Sequence, residues 1–169
     1  MDAWPVALDP QNLPTTILLA KSLLAAVSID VKQHGQHKER GGILLGFRRG
    51  PHLHIDEATV PMRMDVGTMF AFRRSSVGHR EIAIKRWHES NRTIDWVGEW
   101  HSHPEESPSP SSIDLRSWRE ITRGRAVPMA FLIIGWKRGW LGLCVPDSDA
   151  PIRYKEVERS EIGLAFQPA

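Results

Sequence analysis

Cysteine is almost missing from this chain: Cys144 is the single thiol among 169 residues. That excludes an internal disulfide and any zinc or iron–sulfur site needing several thiolates from one chain. A reducing, cytoplasmic setting fits best. The same scarcity argues against a zinc deaminase, which draws on a Pro-Cys-x-x-Cys ligand pair. No apolar run approaches the roughly 18 residues of a membrane span. The longest near the start, Ile17 to Val27, is broken by Lys21 and Ser22. The opening MDAWPVALDP lacks a basic region followed by an apolar stretch, so no secretory signal is expected. There is no internal repeat, and low complexity is confined to SPSPSS at 107–112. Excess charge is small as well: the formal net charge of +2 does not demand a nucleic acid, whose binders show a clustered basic face.

What is present is ordinary globular composition, 41% hydrophobic and 25% charged, which excludes a disordered or collagen-like chain. One domain is expected at this length. Seven Trp and five Phe provide bulk for a core, and a domain of this size buries roughly 70% of its unfolded surface.

Residues 1–14 hold three prolines and read as an extended arm. The domain is expected over 15–160, followed by a C-terminal tail at 161–169. Thr15–Leu19 reads as a short strand. Ser22–Gln33 reads as a helix with Leu23, Leu24, Val27 and Val31 on one face. GGILLG at 41–46 is a glycine-bounded apolar run, expected as a buried strand, and His52–Val60 and Met69–Phe72 as further strands. Ser75–Ser90 reads as a helix with Val77, Ile82, Ile84 and Trp87 among its apolar positions. Ile94–Trp100 is a strand, Ser112–Arg123 a helix, and Pro128–Gly135, Gly139–Val145 and Ile152–Val157 complete the sheet. This order indicates an α+β sandwich, a twisted mixed sheet with flanking helices.

Chemistry concentrates in GEWHSHPEESPSPSSIDL, residues 98–115. His101 and His103 are two apart at a strand end, so both imidazoles share a face and can converge on one ion. Ser111 and Asp114 stand at the spacing that opens a helix, which brings Asp114 into the first turn, facing the strand end. Two imidazoles and one carboxylate form an open catalytic-zinc set, with the fourth position left to water, whose pKa zinc lowers to near 7. A carboxylate that is not a ligand must then take the water's proton and deliver it to the leaving amine. Glu39, just before the buried strand, is the best candidate. Glu105 and Glu106 are nearer in sequence, and Glu99 is expected to point away from the histidine pair. The Ser111 hydroxyl is placed to donate to a developing oxyanion. Each element alone has a plainer reading: a surface His-x-His pair, a Ser/Asp helix cap, a solvated glutamate. Their combination is much harder to explain that way.

Glu39, Gly42-Ile43-Leu44-Leu45-Gly46, His101-Ser102-His103-Pro104, Pro110-Ser111 and Asp114 together resemble the JAMM motif of MPN+ (JAB) domain metalloproteases. Seven residues, Pro104 to Pro110, separate His103 from Ser111, as in the family pattern. The resemblance implies an MPN sandwich, zinc held by His101, His103 and Asp114, Glu39 as general acid/base, and Ser111 steadying the tetrahedral intermediate. It also implies cleavage of isopeptide or peptide bonds after the C-terminal tail of a ubiquitin-like or conjugated protein. The phrase GEWHSHP and the compact domain are most similar to bacterial stand-alone JAB isopeptidases. Some of these belong to antiphage cyclic-oligonucleotide (CBASS) systems and release a nucleotidyltransferase from its conjugates; others process sulfur carriers. A non-catalytic MPN scaffold is the alternative of a different class, and the intact motif speaks against it.

Arg73, Arg74, Arg80, Lys85 and Arg86 read as a solvated face. Trp96 and Trp100 read as core, with Trp100 beside the site. His52 and His54 form a second His-x-His without a downstream carboxylate and read as surface residues. Cys144, in an apolar strand, reads as inert.

Overall fold

The computed structural model describes residues 13–169, so most of the expected arm at 1–14 lies outside the described residues. Leu13 packs against the core, and the Pro14 carbonyl accepts the Tyr154 hydroxyl at 2.6 Å. The elements in chain order are β1 (Thr16–Ala20), α1 (Lys21–His34), β2 (Gly41–Arg49), β3 (His52–Ala58), β4 (Val66–Gly67), β5 (Phe72–Arg73) and α2 (His79–Glu89). There follow β6 (Asp95–Ser102), α3 (Ser112–Thr122), β7 (Met129–Ile134), β8 (Gly139–Cys144), β9 (Ile152–Arg159) and β10 (Gly163–Pro168).

Eight strands close into a barrel in the order β1-β10-β9-β8-β7-β6-β2-β3. Two neighbour pairs are parallel, β1 with β3 and β6 with β7; the others are antiparallel. The mixed sheet with flanking helices is therefore as expected from the sequence, and it additionally closes on itself. Closure uses residues expected as a tail: β10 lies in 161–169 and pairs with both β1 and β9. The expected strand at Met69–Phe72 is instead a small separate hairpin, β4 with β5, outside the barrel.

Two apolar clusters organise the packing. One joins the barrel interior to α1 through Ile17, Leu23, Val27, Leu44, Ile55, Trp100 and Leu132. The other lies beneath α3, where Trp118 stacks on Phe131 at 4.6 Å and on Trp140 at 5.5 Å. Each such pair contributes roughly 0.5–1.5 kcal/mol beyond burial, and together they fix the helix that carries Asp114. The α2 helix forms within the expected segment, but it is not held by the apolar residues named there. Val77, Ile82 and Ile84 are exposed and the buried residue of the helix is His79. A hydrogen-bonded polar network anchors it: His79 contacts Asp65 at 2.7 Å and Thr59 at 2.6 Å. Trp96 and Trp100 pack in different clusters. A register shift, in which Leu44 faces Gly98 but Leu45 faces Trp96, places Trp96 against the α3 cluster and Trp100 in the barrel core. An extra residue in one strand reverses the facing of everything beyond it.

Candidate metal centre

β6 ends at the histidines and β2 begins just after Glu39, and the two strands pair antiparallel with Gly41 opposite His101. The crossing is tied twice between Arg40 and Ser102: the Arg40 amide donates to Ser102 Oγ at 2.9 Å and the Ser102 amide to the Arg40 carbonyl at 2.8 Å. Arg40 is anchored in turn on buried Asp30 of α1 by two bonds of 2.8 and 2.7 Å. Glu39 is thereby carried to the face of β6 on which both imidazoles lie.

α3 supplies the remaining carboxylate. Ser111 is its N-cap: its hydroxyl accepts from the Asp114 amide at 3.2 Å and donates to Asp114 Oδ2 at 2.7 Å, while the Ser111 amide also donates to Oδ2 at 2.7 Å. This reciprocal box caps the helix and holds the carboxylate in one orientation. Capping and a role at the site are compatible here, and the hydroxyl proton is engaged with Asp114.

The side chains converge. His101 Nε2 lies 3.0 Å from His103 Nε2 and 3.2 Å from Asp114 Oδ1, and His103 Nε2 lies 3.3 Å from Asp114 Oδ2. Bonds of about 2.0–2.1 Å at a tetrahedral angle set ligand atoms about 3.3 Å apart, so the three groups fit one zinc-sized ion. Glu39 also offers an oxygen within 4.8 Å of both imidazoles. Its separation from His103 Nε2 is 3.8 Å, longer than the 3.2 and 3.3 Å at which Asp114 meets the two imidazoles. All four groups are buried. Glu39 Oε2 is buried without a hydrogen-bond partner among the described residues, and a buried acceptor of this kind calls for a missing donor such as a water.

Electrostatics follow from this crowding. Burial raises the Glu39 pKa, against the pull of His101 and His103. At His103, burial opposes the charge, but bonds to Asp114 and Glu105 outweigh it and lift the ring to about 9. Burial opposes ionisation of Asp114 too, yet the two imidazoles and Ser111 hold it far below the usual carboxylate range.

The other glutamates near the motif do different work. Glu99 shares the His101 face, as strand alternation requires and contrary to the expectation that it points away; its carboxylate is taken up by Arg74. Glu105 meets His103 at Nδ1, on the side away from the convergence. Glu106 pairs with Lys137 at 2.6 Å. A cleft of about 490 Å³ leads to the site, lined among others by Phe72, Arg74, Glu99, His101, Asp114 and Trp118. Motif reading missed the wall of that cleft formed by the β4–β5 hairpin; the strand expected at Met69–Phe72 was a sequence signal for the segment, though not for its place beside the histidines. Elsewhere, Arg74 and Arg86 of the expected basic face are ion-paired, with Glu99 and with Glu57 and Glu89. His52 contacts Thr15 and His54 stacks on Phe47, both partly exposed. Cys144 is buried, and burial pushes its thiol up to about 12, which keeps it unreactive.

Residues 22–142 match the family model described as prokaryotic homologs of the JAB domain. The chain belongs to that family. Among its JAB relatives, a CD-NTase/cGAS isopeptidase of Pseudomonas aeruginosa (strain BWHPSA011 / Pa011) is 36% identical over 94% of this chain and 98% of the relative. One of the same name from Escherichia coli (strain TW11681) is 36% identical over 73% of this chain and 79% of the relative. A protein from Desulfitobacterium hafniense, solved in solution, shares the fold with a TM-score of 0.61 at 20% identity, covering 86% of this chain and 94% of that one. This JAB-family chain is a hydrolase of the isopeptidase type. Among the described residues, no helix is long and apolar enough to cross a membrane.

Proposed function

We propose that the chain is a JAMM-type zinc metalloprotease that cleaves an isopeptide or peptide bond after the C-terminal tail of a conjugated protein. The observation that carries this reading is the convergence of His101, His103 and Asp114 at 3.0–3.3 Å with Glu39 alongside. An ion held by those three ligands supplies Lewis acidity and a water nucleophile at neutral pH. Glu39, its pKa raised by burial, accepts the water's proton on its carboxylate and returns it to the leaving amine. Ser111 clamps Asp114, and its hydroxyl would donate to the developing oxyanion. The cleft between the hairpin and α3 receives the tail in extended form.

The relatives' names support a CD-NTase as the conjugated partner, and the reading is of a cytoplasmic deconjugating enzyme in an antiphage CBASS system. Sulfur-carrier processing is the competing substrate choice, and the relatives' names do not favour it. The domain is taken as residues 15 to the end of β10.

The test is a panel of zinc-loaded reactions read by mass spectrometry. It compares a CD-NTase C-terminus joined to a lysine, the same terminus in linear fusion, a sulfur-carrier fusion and unfolded casein. Cleavage after the CD-NTase carboxyl terminus, abolished in His101→Ala, is expected. Casein digestion blocked by a chelator overturns the restricted substrate class. Inactivity of the zinc-loaded protein on every conjugate overturns the catalytic reading in favour of a scaffold.

A further inference from the structure

We propose that Glu105 is a positioning residue for the metal centre, holding the His103 ring so that Nε2 faces the ion. The inference rests on the metal reading above. An imidazole that offers its Nε2 lone pair to a metal carries its proton on Nδ1. Glu105 Oε1 lies 2.9 Å from that Nδ1, while Nε2 faces His101 and Asp114. A carboxylate accepting the second ring N–H of a ligating histidine fixes the tautomer and the ring angle, and makes the ligand nitrogen more basic. His101 has no carboxylate at its Nδ1 among the described residues, so the device serves one ligand of the pair.

The Glu105 side chain is half exposed, yet the backbone that carries it is fixed. The Glu105 amide donates to the His103 carbonyl at 2.8 Å, and the His103 amide to the Ile134 carbonyl at 3.0 Å. The Glu105 carbonyl accepts the Trp136 amide at 2.8 Å, and the Glu106 carbonyl accepts the amides of Lys137 and Arg138 at 3.2 and 3.0 Å. The first residues of the loop after the second histidine are thus bonded to the turn between β7 and β8. The fit is close enough that Gly135 admits no side chain: a Cβ there stands 2.5 Å from Pro108 Cδ and 2.7 Å from the Glu105 carbonyl oxygen. The fixed backbone leaves only the side-chain torsions of Glu105 to be ordered when its carboxylate meets Nδ1.

The experiment measures zinc affinity by chelator competition in the wild type, Glu105→Ala, Glu105→Gln and Glu106→Ala, with melting of each metal-free protein. Loss of a hydrogen-bonding group of this kind weakens metal binding by about 10–100-fold, and that loss is expected for Glu105→Ala. Glu105→Gln keeps an acceptor oxygen and restores most of the affinity, and Glu106→Ala leaves it unchanged. Long-range ¹H–¹⁵N spectra of the zinc-loaded protein show the His103 Nδ1 proton protected in the wild type and exchanging in Glu105→Ala. If Glu105→Ala binds zinc within twofold of wild type, or Glu106→Ala weakens it equally, the positioning role is overturned while the metal reading stands. A wild type that takes up no zinc overturns both, and should Glu105→Ala fail to fold, Glu105→Ser, whose hydroxyl is too short to reach His103 Nδ1, takes its place with the same loss expected and the same twofold limit.

Discussion

The Glu39 amide donates to the Thr68 carbonyl at 2.7 Å. This bond ties the proposed proton carrier to the hairpin formed by β4 and β5, so the wall of the substrate cleft and the base move as one unit. Phe72 of the same hairpin lies over Gly41, the residue opposite His101. Glu39 is held in place by a segment some thirty residues further along the chain.

Glu39→Gln is expected to keep zinc and lose turnover. General acid–base catalysis contributes about 10²–10⁴-fold, and the amide removes the basic site while preserving shape. Because Glu39 is buried with an unpartnered oxygen, neutralising it should leave the melting temperature of the metal-free protein unchanged or raise it. Steady-state turnover and melting on one preparation check both; near-normal turnover would move the base elsewhere.

Gly67→Ala tests the hairpin contact. A Cβ at Gly67 meets the Glu39 carbonyl oxygen at 2.1 Å, a backbone atom that cannot swing aside. The substitution is expected to shift Glu39 and cut turnover at least tenfold, with a stability cost of about 1–3 kcal/mol, the range for overpacking. Zinc content should stay stoichiometric, since the three ligands lie on β6, the residue after it and α3.

Ser111→Ala removes two bonds at once, the cap on the Asp114 amide and the clamp on Oδ2. The cap predicts about 1 kcal/mol of lost stability. An oxyanion donor predicts a rate loss of about 10²–10³. Weaker zinc binding accompanies both as Asp114 gains freedom. Denaturant melts, chelator competition and turnover separate the three effects, and a variant changed only in stability would reduce Ser111 to a cap.

The pH dependence of the metal-free fold has a definite sign. His103 is lifted from 6.5 to about 9 in the folded protein by Asp114 and Glu105, against burial. A folded pKa above the unfolded one gives stability that is complete below 6.5 and is lost as pH rises through 9. Metal-free protein should therefore melt at falling temperature across that window. Zinc competes for the same nitrogen and binds the deprotonated ring, so the margin of loaded over metal-free protein should widen with pH. Parallel melting series in chelator and in zinc read this directly; a flat metal-free series would remove the His103 proton from the account.

The grouping of the candidate ligands was legible because it is local in sequence: the strand end sets His101 beside His103, and the capping box sets Asp114 against them. The mixed sheet and α1 were legible from periodicity. The closed barrel was not, because it depends on pairing between residues far apart, Ile17 with Phe166 and Thr16 with His52, and because GLAFQP at 163–168 alternates too weakly to announce a strand. α2 misled through its isoleucines. Helical periodicity cannot reveal that a buried histidine bonded to Thr59 and Asp65 anchors the helix. The facing of Glu99 was readable from alternation with His101; its capture by Arg74, which sits on the loop after β5, was not.

The barrel closure carries a consequence for the order of assembly. Every group assigned to ligation or proton transfer lies between residues 39 and 114, whereas the seam that completes the ring joins β1 to β10. Contacts across so long a stretch of chain form late, because loop-closure entropy is lost before they reward it. Newly made chain therefore presents the metal ligands well before the last strand has emerged. The rate-limiting event of refolding is expected at the seam, so stopped-flow refolding should proceed at the same rate with zinc present or chelated. Metal capture and ring completion are then separate events, and a chain stalled between them holds an ion in an open sheet whose β1 and β9 edges are unpaired and prone to association.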